Sequence, residues 1–273
     1  MKLALAQICT LEAPFETDVA DYAAGACPAI ELWLGKLETY LASHSVADVR
    51  RLLDEHNLAA PVAAYQGGLL VSQGEARREH WDHFRRRLPI LAELGAETLI
   101  VAADVAGSLD QQALERLQAS LVEAAQLAGQ HRLRLALEFQ ARSVFCNNLQ
   151  TAAALIYDVG SPHLGICLDL FHFQVGPSKL TDLAELDPAV LFHVQLCDLA
   201  GHARELATDG DRVLPGDGDF PLEPVISQLR ALDYQGYVSV ELMNPVVWRV
   251  PPLSFGEIGM TALRKVLGLA SME

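Results

Sequence analysis

Four apolar runs in the second half of the chain each end in a residue able to hold a cation or move a proton. The run LRLALEF at 133–139 ends in Glu138, and GICLDLFHF carries Asp169 and His172. FHVQLCD carries Gln195 and Asp198, and YVSVEL closes on Glu241. A carboxylate at the end of a buried strand is costly unless a positive group meets it. These tips recur roughly once per strand–helix unit of an eight-fold barrel, about 30 residues on average, and such barrels keep their chemistry at the C-terminal strand ends. Three carboxylates gathered there repel one another and take up protons unless a cation holds them. One divalent ion removes that penalty and acts as a Lewis acid. Three carboxylates and an amide (Glu138, Asp169, Glu241 and Gln195) form an all-oxygen set. It favours Mn or Mg, with Co or Zn as further occupants.

Positioning those tips requires strands that all point one way. Strand-like apolar runs alternate with helix-like periodic stretches along the chain, which predicts parallel β/α architecture. Strands are expected at 2–8, 28–34, 59–65, 98–104, 133–138, 164–168, 191–196 and 236–241. Ser45 caps a helix through His56, with Val46, Val49, Leu52 and Leu53 on one face. A helix over 75–94 carries Trp81, Phe84, Leu88 and Leu91 at helical spacing, the pattern of packing onto a barrel. The arginines around that stripe (77, 78, 85, 86 and 87) read as a solvated face or a subunit contact. Ser108 and Gln111 form a capping-box signature before a helix with Leu114, Leu117, Leu121 and Ala125 inward. Helices at 149–157, 178–186 (interrupted), 222–232 and 255–269 complete the series, with a polar excursion at 200–220. The fold class expected is α/β, a single (β/α)8 TIM barrel over residues 1–273.

Composition narrows the partners. With 51% hydrophobic residues and 7% aromatic, the core is large and mostly aliphatic. A net charge of −15 repels phosphate backbones and anionic membrane surfaces, so nucleic acid and membrane are not expected partners. Five scattered cysteines without a C-x-x-C predict a reduced, cytoplasmic protein. The N-terminal apolar run is too short for a span and reads as a first strand. Self-association into a homo-oligomer is compatible with all of this.

The motifs A-L-E-F (136–139), C-L-D-L-F-H (167–172), H-V-Q-L-C-D (193–198) and D-R-V-L-P-G-D-G (211–218), followed by V-S-V-E-L (238–242), resemble the xylose isomerase-like barrel superfamily. The likeness is greatest to its inosose isomerase branch and runs from I-E-L (30–32) to the last helix. It implies the same metal ligands: Glu138, Asp169, Gln195 and Glu241. The isomerases usually have His at the strand-seven position; Gln195 resembles the related 3-dehydroshikimate dehydratases. His193, two residues earlier on the same face, is an alternative ligand. The D-L-F-H match gives His172 an active-site role, as donor to a substrate oxygen or proton shuttle.

Arg212, just before P-G-D-G, can fold over the mouth and steady an oxyanion or the carboxylates. Asn148 either bonds a substrate hydroxyl or caps the next helix. Glu31, Gln66 and Trp248 are expected to line the substrate pocket, whereas Trp33 and Trp81 read as core or interface. Cys146, Cys167 and Cys197 read as small apolar fillers. There is no P-loop, H-E-x-x-H or G-x-S-x-G.

The chemistry expected is proton transfer next to a carbonyl of a polyhydroxy ketone, a ketose or keto-cyclitol, through an enediolate. Glu138 and Glu241 would be base and acid, in a metal-dependent isomerase or epimerase. The alternatives are a 3-dehydroshikimate dehydratase-like lyase and a non-catalytic sugar-binding barrel. DNA-repair endonucleases share the barrel but need a basic surface, which the net charge opposes.

Overall fold

The computed structural model describes residues 1–269. The last four positions of the expected domain, 270–273, lie outside the described residues.

Among the described residues ten strands follow one another in chain order, most of them separated by helices: β1 (Lys2–Ala6), β2 (Ala29–Trp33), β3 (Ala59–Gln66), β4 (Thr98–Ala102), β5 (Arg134–Glu138), β6 (Leu164–Asp169), β7 (Leu191–Leu196), β8 (Asp198–Leu199), β9 (Arg212–Val213) and β10 (Tyr237–Val240). Eight of them close into a parallel barrel in the order β1-β10-β7-β6-β5-β4-β3-β2, and β8 with β9 makes a separate two-stranded sheet. Contacts divide the chain into two compact units, residues 1–61 with 194–273 and residues 62–193.

In the first unit β1 lies parallel to β10 and β2, with Ala6 level with Glu31, and Ser239 of β10 is level with Gln195 of β7. In the second unit Ala102 is level with Glu138, and Glu138 with Cys167. The strands are aliphatic on both faces because both are covered, as parallel strands require. Leu5, Ile30, Leu99, Leu137 and Ile166 are all buried.

The helices follow the periodicity. Trp81, Phe84, Leu88 and Leu91 are the buried positions of α4 (Gly74–Glu93). The arginines around them divide: Arg78, Arg85 and Arg86 are exposed, whereas half-buried Arg77 bonds the Leu69 carbonyl and Ser120, and Arg87 bonds Gln66. Arg77 and Arg85 lie over the Trp81 ring at 4.8 and 5.4 Å, and Arg85 pairs with Asp82 and Glu123. Ser45 and Asp48 form a reciprocal capping box at the start of α3 (Val46–Glu55).

Three expectations shift. Helix α5 (Gln111–Gln130) is capped not by Ser108 but by Asp110, whose Oδ1 accepts from the Ala113 N–H at 2.8 Å. Aspartate is as good a cap as serine and sits next to the first helical residue. Strand β1 ends at Ala6, and Gln7–Thr10 turn into a 3-10 helix. Of the interrupted helix expected at 178–186 only one short helix forms, α8 (Leu180–Ala184), and a further short helix, α7 (Leu170–Val175), precedes it. Two further helices are α1 (Phe15–Ala24) and α2 (Leu34–Leu41). Among the described residues no helix is long and apolar enough to cross a membrane.

Candidate functional site

In the unit formed by residues 62–193, the ends of β5 and β6 bring Glu138 and Asp169 together with His172. Asp169 is both the last residue of β6 and the N-cap of α7. Its Oδ1 accepts from the Phe171 N–H at 2.6 Å and the His172 N–H at 3.4 Å. That cap fixes the carboxylate against its own strand, and the first helical turn carries His172 back over it. His172 Nε2 lies 3.9 Å from Glu138 Oε1 and 3.9 Å from Asp169 Oδ2. One ligand atom from each of the three residues lies within 4.8 Å of the others.

These separations are too long for hydrogen bonds. They are the spacing of donors arranged around a common guest. Asp169 and His172 are buried and Glu138 is half-buried, so the carboxylates are largely removed from water. Glu138 and Asp169 fit a divalent cation, two hard carboxylate oxygens at compatible spacing with the His172 imidazole beside them.

In the other unit a second polar cluster is built on β2, β7 and β10. Glu31, Gln195 and Ser239 are at most 1% exposed and Glu241 is 4% exposed. Gln195 Nε2 donates to Glu31 Oε1 at 2.8 Å and to Glu241 Oε1 at 2.9 Å. The Ser239 hydroxyl donates to Glu31 Oε2 at 2.5 Å. Strand alternation explains the set. Positions 239 and 241 are two apart and share a face, and Ser239 is level with Gln195.

Arg212, 1% exposed, comes from the 200–220 excursion. Its Nη1 donates to Glu241 Oε2 at 2.7 Å and its Nη2 to Asp209 Oδ1 at 2.6 Å. The excursion is ordered by Asp198. Its Oδ1 accepts from the N–H groups of Leu199 and Phe220, both at 2.8 Å, and its Oδ2 from Gly216 at 3.0 Å. The P-G-D-G motif is explained by that carboxylate. Gly216 adopts φ +91° to present its N–H, and at Gly218 a Cβ would collide with the Asp198 carboxylate and the Leu199 carbonyl. β8 and β9 then set Leu199 beside Arg212.

The remaining expected site residues divide. Asn148 is the N-cap of α6 (Leu149–Val159), its Oδ1 accepting from Thr151 N–H at 2.8 Å. Gln66 uses its amide structurally. Its Nε2 donates to the Gly67 carbonyl at 2.9 Å, and its Oε1 accepts from Arg87 Nη1 at 2.9 Å. Trp248 lies in a 3-10 turn and keeps a buried indole N–H with no hydrogen-bond partner among the described residues. His193 is buried in β7 two residues before Gln195. The cysteines are buried thiols, and burial pushes Cys146 up to about 12, away from any nucleophilic role.

Sequence reasoning missed one buried ion pair. Lys36 Nζ of α2 bonds Asp18 Oδ2 of α1 at 2.5 Å, and Asp18 also accepts from Thr10 Oγ1 at 2.8 Å and Gln7 Nε2 at 3.2 Å. Burial pushes Asp18 up to about 7, and burial also lowers Lys36. Nothing in the sequence marked either residue, because a pairing between two helices, 18 residues apart, is not encoded in local periodicity. Beside the pair a cavity of about 600 Å³ opens between Trp33, Lys36 and Tyr40.

Comparison with known proteins adds to this geometry. An inosose isomerase of Bacillus velezensis is 26% identical over 221 residues, covering 80% of this chain and 79% of that protein. A 3-dehydroshikimate dehydratase of Pseudomonas aeruginosa is 27% identical over 207 residues, 73% of this chain but 32% of that longer protein. A zinc-binding IolI protein superposes with a TM-score of 0.92 over 100% of both chains at 22% identity. Residues 20–260 match the model of one family, and on that match the chain belongs to the xylose isomerase-like TIM barrel family.

Proposed function

We propose that this barrel is a divalent-metal-dependent isomerase or epimerase of a ketose or keto-cyclitol. Glu138, Asp169, Gln195 and Glu241 are the ligands in this reading. The observation that carries it is the Glu138–Asp169–His172 cluster, with donor atoms within 4.8 Å of one another at strand ends. The names of the relatives, an inosose isomerase among them, support the same class of reaction.

The ion, when bound, supplies Lewis acidity to the substrate carbonyl. The chain does the rest. Of Glu138 and Glu241, one removes the proton next to the carbonyl and the other returns one. Return to the adjacent carbon is isomerisation, and return to the same carbon is epimerisation. His172 Nε2 donates to a substrate oxygen as charge develops there. Arg212 holds Glu241 Oε2 and so fixes the direction of that carboxylate. The Trp248 indole N–H is a donor for a substrate hydroxyl.

A second reading keeps the base and expels a β-hydroxyl, as a dehydratase does. It is favoured by Gln195 and by the dehydratase relative. A panel of ketoses, inososes and dehydroshikimate in deuterated water with added Mn²⁺ separates the two. Solvent deuterium at a carbon next to the carbonyl is expected of an isomerase or epimerase, and ultraviolet absorbance of a conjugated enone acid of a dehydratase. Neither signal with any substrate would sink the catalytic reading.

A further inference from the structure

The cavity beside the Asp18–Lys36 pair is formed by residues between 11 and 44, all within the unit of residues 1–61 and 194–273. Its volume, about 600 Å³, is that of a small-molecule site. Phe15, Trp33 and Tyr40 give it aromatic walls, and Glu12 and Glu16, both exposed, line it as well. His44 stacks on the Tyr40 ring with centroids 3.9 Å apart, so one face of that ring is taken. Trp33 is the better partner for a cation in any case, since an indole attracts positive charge more strongly than a phenol.

Charge selects the occupant. Lys36 also lines the cavity, but it adds no net positive charge. Its Nζ lies 2.5 Å from Asp18 Oδ2 and 2.5 Å from the Thr10 carbonyl oxygen, and the pair is neutral as a whole. An anion entering the cavity would therefore meet two carboxylates and a lysine already engaged by Asp18. A cation would meet the same two carboxylates and the aromatic rings with attraction from both. The net charge of −15 draws cations toward the protein from further away.

The wall beside the indole is kept open. Gly35 is the second residue of α2, and a Cβ there would stand 3.4 Å from Trp33 Nε1. Glycine is a poor helix former, and at this position it leaves a methyl-sized space against the ring.

We propose that this cavity is a binding site for a small organic ammonium ion, its positive head held by the Trp33 ring and the carboxylates of Glu12 and Glu16. The site is separate from the metal and the ketose of the proposed reaction.

The full chain is titrated with choline in low salt, without divalent metal, above the pH of about 7 to which burial raises Asp18. NMR follows the indole N–H signals, and that of Trp33 is assigned by its loss in Trp33→Phe. Choline should shift the Trp33 signal saturably and bind about tenfold more tightly than neohexanol, its uncharged carbon isostere. Acetate should leave the signal where it is. Glu12→Gln combined with Glu16→Gln changes two exposed side chains, and it should bring choline close to the affinity of neohexanol. Gly35→Ala suits the helix better and should weaken choline by filling the space beside the indole. Choline binding no tighter than neohexanol, or unchanged by loss of both glutamates, would overturn the proposal, as would a Trp33 signal that choline does not move.

Discussion

Arg212 Nη1 donates to Glu241 Oε2 at 2.7 Å from within a loop whose two ends Asp198 ties together. A glutamate just past the end of β10 is thus oriented by a residue about thirty positions earlier. The loop is part of the site's construction: Gly216 takes a positive φ to present its N–H to Asp198, and Gly218 has no room for a Cβ beside that carboxylate.

The buried pair makes Arg212 a sensitive position. Arg212→Met removes the cation between Glu241 and Asp209 and leaves a buried carboxylate unpaired, a loss of about 3–5 kcal/mol. Urea denaturation should register that loss, and turnover should fall with it. Arg212→Lys should recover part of the stability but not the two-pronged contact to Glu241 and Asp209.

Asp198 accepts three backbone N–H groups while 1% exposed. Asp198→Ala leaves those donors unsatisfied at about 1–3 kcal/mol each before relaxation. The loop at 200–220 should become the preferred site of limited proteolysis. Cleavage no faster than in the wild type would mean the loop is held by other contacts.

Metal removal provides a third measurement. Chelation should lower the melting temperature. A ligand at 100 times its dissociation constant stabilises by about 2.7 kcal/mol, several degrees for a domain of this size. Mn²⁺ should restore the wild type but not Asp169→Asn. Glu138→Gln should fold, and its turnover should drop by about 10²- to 10⁴-fold as a proton-transfer group is lost.

Asp18 predicts a pH dependence of stability. Its folded value is raised to about 7, chiefly by burial, from the ordinary carboxylate range. A raised acid binds its proton more tightly when folded, so its stabilising contribution is complete below pH 4 and is lost as pH rises through 7. The stability of wild type relative to Asp18→Asn should therefore shrink between pH 4 and 7. Chemical denaturation across that range measures it, and a constant difference would contradict the raised value.

The barrel was legible in the sequence because its cause is local: runs of Leu, Val, Ile and Ala must bury, and helices between them repeat at 3.6 residues. Trp81, Phe84, Leu88 and Leu91 show that rule at work. So were the strand tips, since a lone Glu138 or Asp169 after an apolar run is conspicuous in one dimension. Asn148 was legible only as a choice between cap and ligand, and the structure makes it a cap.

What the sequence left open is which polar group faces which. Glu31 and Gln195 are 164 residues apart, and Ser239 and Glu31 are 208 apart. No periodicity encodes such pairings; they arise only when strand register sets Ser239 level with Gln195 and Ala6 level with Glu31. The residue types therefore pointed to a cation-binding chemistry. The fold decided how its carboxylates, amide and guanidinium are shared, because hydrogen-bond direction depends on position in space and not along the chain.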